Sequence, residues 1–143
     1  MSVQRLETIR ALWDACIRGD SEAMGRDVSP AYVWIDHATG VVARTAEELQ
    51  EAVADEEPWS DLRFEISNAF HADDGSVIVQ AVRSGTLTGL WRSLETTGQR
   101  VAFDFIDIFK FDDDDKIILE EAYYDMASVR RQLGYDVGDG SPG

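Results

Sequence analysis

Apolar and polar positions recur along this chain with two different periods, and the change of period divides it. Val3, Leu6, Ile9, Leu12, Trp13, Cys16 and Ile17 stand three and four residues apart, which predicts a helix over 3–18. Gly19 closes it, since a helix end often needs a left-handed residue. A short second helix is expected from Ser21. The period then drops to two. Tyr32, Trp34 and Asp36 share one face of a short strand, and Val33 and Ile35 the other. Thr45-Ala-Glu-Glu48 has the spacing of a capping box and opens a third helix, which Pro58 stops.

The second half alternates almost throughout. Leu62, Phe64, Ile66 and Phe70 share a parity, Asp73-Asp74-Gly75 predicts a turn, and 77–88 form the next strand. Gly98 predicts another turn, and 100–111 a long strand. Asp112–Asp115 turn the chain into 117–124, and a last helix from about Ala127 to Gly134 buries Val129 and Leu133. Helices, then a meander of about four long strands, then one helix make an α+β fold. Its form is a curved antiparallel sheet with helices on one face, enclosing a concave pocket. No repeat or linker interrupts the pattern, so 1–137 reads as one domain and GDGSPG, 138–143, as a disordered tail.

Three strands break their own alternation. In 100–111, Asp107 falls on the face of Val101, Phe103, Phe105, Phe109 and Phe111. Arg83 is the one charge on the face of Val77, Val79, Ala81, Gly85 and Leu87, and Asp36 joins Tyr32 and Trp34. A charge on an apolar face is costly unless paired. An arginine with two aspartates supplies that pairing, and builds a site whose pKa values are pushed apart, as acid and base catalysis require. Two plainer readings stand beside it: a structural ion pair, or a β-bulge that turns Asp107 outward. Asp125 precedes the last helix and suits its N-cap, a role compatible with facing the pocket. His37 has the opposite parity to Asp36 and His71 adjoins a turn, so both are expected in solvent.

Composition narrows the chemistry. The net charge of −15 disfavours nucleic acid and anionic membrane surfaces as partners. With Cys16 as the only cysteine, neither an intramolecular disulfide nor a cysteine metal cluster can form. No metal-binding signature, phosphate loop or serine-nucleophile elbow occurs, and the four-aspartate run lacks the spacing of a calcium loop. MSVQRLETIRALW has no apolar run of signal-peptide length, and no segment approaches the roughly 20 apolar residues of a membrane span. A cytoplasmic protein without cofactor or metal is expected.

SGTLTG (84–89), TGQRVAFDFIDIFKF (97–111) and KIILEEAYYDMASVRRQLG (116–134), in that order and spacing, resemble the SnoaL-like polyketide cyclases. That family lies in the nuclear transport factor 2-like superfamily, with the ketosteroid isomerases and limonene-type epoxide hydrolases. The resemblance covers roughly 3–135 and implies a cone-shaped barrel with its pocket at the open end, a cofactor-free site and a homodimer. It implies Asp107 as the acid/base. Leu87 stands where many members have a histidine. The epoxide hydrolases use an Asp–Arg–Asp triad whose last member matches Asp125, but Ala81 and Arg83 replace its Arg and Asp.

The expected activity is that of a lyase or isomerase acting on an apolar, polycyclic or aromatic carbonyl compound. Asp107, Arg83 and Asp125 would be catalytic, and Tyr32, Trp34, Asp36, Leu87, Phe105 and Tyr123 would hold the substrate. Epoxide hydrolysis and a non-catalytic binding or protein-interaction domain are the alternatives.

Overall fold

The computed structural model describes residues 3–54 and 56–136. The expected tail, 138–143, lies outside them. In chain order the elements are α1 (Val3–Arg18), α2 (Ser21–Arg26), β1 (Val28–Asp36), β2 (Val41–Ala43) and α3 (Ala46–Ala54). Then come β3 (Trp59–His71), β4 (Val77–Trp91), β5 (Leu94–Phe111), β6 (Ile117–Tyr124) and α4 (Met126–Gln132). The strands form one sheet in the order β2-β1-β6-β5-β4-β3. All pairings are antiparallel except β1 with β6, which is parallel and brings the N-terminal half beside the last strand.

Helix α1 lays its apolar stripe on the concave face. Ile9, Leu12 and Trp13 are buried, and Trp13 meets Phe64, Phe105 and Phe109 at ring-centroid distances of 5.3, 5.5 and 5.9 Å. Arg5 ties the start of this helix to two strand turns. It donates to the Gly75 carbonyl at 2.6 Å and to Asp115 Oδ1 at 2.8 Å. Asp112 accepts from the backbone of Asp114 and Lys116, both at 2.9 Å, so the aspartate run forms a turn. Half of the expected capping box is present: Thr45 Oγ1 accepts from Glu48 N at 3.1 Å. The last helix buries Val129 and Leu133.

Register corrects three expectations. β1 begins at Val28 and gains a partner, β2, too short to show a period. The β4–β5 turn lies at Arg92–Ser93 and not at Gly98. Both turn residues have positive φ, +48° and +67°, as a two-residue hairpin turn demands. Gly98 (φ +91°) sits inside β5 as an extra residue between the pairs Leu87–Gln99 and Thr88–Thr97, a glycine bulge. A similar register shift in β3, between Ile66 and Asn68, turns Phe70 outward, where it is 51% exposed. Beyond Gly98 the alternation is intact: Val101, Phe103, Phe105, Asp107 and Phe109 are all buried.

Candidate functional site

The concave face closes over a cavity of about 90 Å³ between the sheet, α1 and α3. Trp13, Trp34, Phe64, Phe103 and Phe105 make its walls. Two polar clusters face into it.

The inner cluster joins β1, β5 and β6. Asp107 pairs across the ladder with Ala122, which leaves Glu120 as its diagonal neighbour on the same face. Tyr32 donates its hydroxyl to Glu120 Oε1 at 2.8 Å. Asp107 is 3% exposed, and among the described residues no donor bonds its buried Oδ1. Burial pushes the Asp107 carboxyl well above the usual range. The charge of Glu120, a hydrogen bond with it and the charge of Asp36 push the same way, while Arg83 opposes them. All but the last of these favour the protonated form of Asp107. Burial, then Glu120, also raise the Tyr32 phenol well above its ordinary value. The Cys16 thiol, on the cavity wall, is pushed up to about 12, chiefly by burial, and stays protonated.

The outer cluster joins β4, its turn, the α3–β3 connection and the end of β1. Asp36, fully buried, accepts from Ala38 N at 2.9 Å and Thr39 N at 3.2 Å. Its other oxygen accepts from Arg92 and from the Tyr124 hydroxyl, both at 2.6 Å. Arg83 is paired in a fork with Glu56, its Nη1 donating to Oε1 at 3.2 Å. Arg92 reaches the same carboxylate at 3.7 Å. The Arg83 guanidinium lies 4.6 Å from the Trp59 ring and 5.3 Å from Phe64, and that of Arg92 4.5 Å from Trp91.

Asp107, Arg83, Tyr32, Trp34, Asp36 and Phe105 thus line one cavity. Three other candidates lie elsewhere. Asp125 caps α4, accepting from Ala127 N at 2.9 Å, with its carboxylate exposed and 3.9 Å from Arg131. Tyr123 has the outward parity of β6 and stacks on His37 at 4.3 Å, beside Glu121. Leu87 is fully buried in the core, outside the cavity lining, paired across the ladder with Trp59. Three further residues were not singled out from sequence: Glu120, Arg92 and Glu56. For Glu120 a signal existed, because it shares its parity with Ala122 and Tyr124. No described group of His, Cys, Asp or Glu could hold a metal ion, and no described helix could cross a membrane.

Solved structures share this fold. A protein of ketosteroid isomerase-like fold from Catenulispora acidiphila, solved with trimethylamine, aligns with TM-score 0.75 at 22% identity, over 95% of this chain and 98% of that one. A candidate SnoaL-like polyketide cyclase from Jannaschia sp. CCS1 aligns with TM-score 0.79 at 21% identity, over 97% and 94%. AclR, a candidate hydroxylase from Streptomyces galilaeus, aligns with TM-score 0.76 at 20% identity, over 97% and 91%. The chain matches no curated protein. The class is therefore a ketosteroid isomerase-like α+β cone. Within it the family is specific: the SnoaL-like domain model matches residues 9–120, and the chain belongs to that family.

Proposed function

We propose that this protein moves a proton at a carbon next to a carbonyl group, as a lyase or isomerase of the polyketide cyclase or ketosteroid isomerase type. The observation that carries the reading is Asp107: a buried carboxyl on the cavity wall, set beside Glu120, with burial and that neighbour pushing its pKa well above the usual range. A carboxyl pair that shares one proton can both accept and donate. The substrate's acidic C–H proton passes to the Asp107 carboxyl while the proton Asp107 already holds shifts to Glu120. The C–H electron pair moves into the carbonyl and leaves an enolate. Return of the two protons in the opposite order, the first to a different substrate atom, completes the rearrangement and restores the pair. Because the Asp107 proton moves on to Glu120 as the C–H proton arrives, neither carboxyl has to hold two protons, and the pair works as one acid–base unit. Arg83, on the same cavity wall, supplies positive charge to the enolate oxygen.

The cavity size bears on the substrate. About 90 Å³ is well below the roughly 300–1,000 Å³ of pockets for drug-sized ligands, which favours a compact apolar molecule over a polycyclic one. Asp125 lies outside the cavity, so epoxide hydrolysis through that residue loses its geometric support.

The test is hydrogen–deuterium exchange, read by NMR, on a panel of small ketones, enones and β-keto acids in D2O. Wild-type protein is expected to speed exchange at the α-carbon of at least one of them, and Asp107→Asn to lose that rate. Equal rates with both proteins would end the proposal, as would binding that leaves every panel member unexchanged.

A further inference from the structure

We infer that the two cavity guanidiniums form a receptor for a carboxylate carried by the ligand, and that Glu56 occupies it when the site is empty. The inference rests on the proton-transfer reading for which ligand is turned over, and on the outer cluster alone for how that ligand is held.

Sheet residues fix the positions of both arginines. Arg83 lies over rings of Trp59, Phe64 and Trp91, and Arg92 over rings of Trp91 and Tyr124. Their side chains are each 9% exposed, so they present a prearranged, water-poor pair of forks. Among the described residues two carboxylates answer them, held in different ways. Asp36 is built in: two backbone N–H groups, Tyr124 and Arg92 hold it, and its side chain is 1% exposed. Glu56 comes from outside the sheet, on the connection between α3 and β3. Among the described residues its carboxylate meets Arg83 and Arg92, and its side chain is 17% exposed.

Of the two, Glu56 can leave without unravelling a strand end. An incoming carboxylate would take over the fork on Arg83 and the longer contact to Arg92, so the exchange conserves charge. It also adds the volume of the departing side chain to the cavity. Glu56 and Asp107 line the same cavity, so a ligand anchored in place of Glu56 shares that cavity with the Asp107 carboxyl. The ligand class that follows is a compact carbonyl compound with a carboxylate at one end.

Calorimetric titration of the whole chain tests this with benzoate against benzamide, and with propionate against propionamide for a smaller fit. At least one carboxylate should bind more tightly than its amide. Glu56→Gln should tighten carboxylate binding about tenfold by removing the internal competitor, and leave the amide unchanged. It should also enlarge the rise in Tm that the carboxylate produces. Amide and carboxylate binding alike, tighter amide binding, no binding of either acid by Glu56→Gln, or weaker carboxylate binding in that variant would each overturn the inference. Asp107→Asn separates it from the proposed chemistry. If that variant keeps α-carbon exchange while Glu56→Gln tightens benzoate, the proton-transfer reading fails and the receptor stands. Loss of exchange without any carboxylate preference gives the reverse.

Discussion

The two polar clusters share a wall, a sheet face and a set of residue types, yet they are built on opposite rules. In the outer cluster every carboxylate meets a cation: Asp36 has four donors, and Glu56 bridges two guanidiniums. In the inner cluster two carboxyl groups meet each other, with a tyrosine hydroxyl beside them and an oxygen left over. Compensated charge in a low-dielectric place fixes shape and binds. Uncompensated charge there raises a pKa and leaves a proton available for transfer. The contrast separates residues that hold the site from residues that would act in it.

Four measurements would break or sharpen that contrast. The largest effect is expected in the inner cluster. Asp107→Asn should lower α-carbon exchange by about 10²–10⁴-fold while stabilising the fold at neutral pH. The sign follows from the raised pKa. Protonated Asp107 costs nothing below the ordinary carboxylate range, and its stabilising contribution is lost as pH rises through its folded-state pKa. The Tm advantage of Asp107→Asn should therefore be near zero in acid and grow toward neutral pH. In the outer cluster the sign reverses. Asp36→Ala strands Arg92, Tyr124 and two backbone donors, and should cost about 3–5 kcal/mol in urea denaturation.

A smaller effect is expected from Glu120→Gln. It removes the charge and the hydrogen bond that help to raise Asp107, so the Asp107 midpoint, followed by carboxyl carbon NMR, should move down. Burial should still hold it above the ordinary range. Least of all, Asp125→Ala should cost about 1 kcal/mol as a lost helix cap, without changing exchange. A large loss of activity there would return Asp125 to the site.

Alternation makes part of the cavity wall legible in the sequence. Asp107, Arg83 and Asp36 each stand alone on an apolar strand face, and a charge placed so is a signal because it is costly. The cavity's other charges carry a weaker mark or none. Glu120 sits in KIILEEAYY, next to a second glutamate, and the register shift between Lys110 and Phe111 blurs which of the two faces inward. Glu56 lies in a connection that has no period. Arg92 was hidden by glycine. A tight hairpin usually takes a glycine at positive φ, so Gly98 drew the turn, while Arg92 and Ser93 adopt that conformation themselves. Leu87 and Tyr123 show the opposite failure. The first stands where the resemblance implies a histidine, and neither lines the cavity. The fold was more legible than the site, because it depends on many weak repeats and the site on a few residues at breaks in those repeats.

The bulge at Gly98 gives β5 something like a reading frame. On the turn side Leu94 and Thr96 are buried, at even positions; past the bulge the buried positions are odd, from Val101 to Phe109. One extra residue has shifted the frame, and so lets the same strand serve the core at Trp91 and Leu94 and the cavity at Phe103 and Asp107. Insertions and deletions along this hairpin are then tolerable in twos. A single deletion at Gly98 would put the two halves of β5 in one frame, so that either the Arg92 turn or the Asp107 wall must face the wrong way.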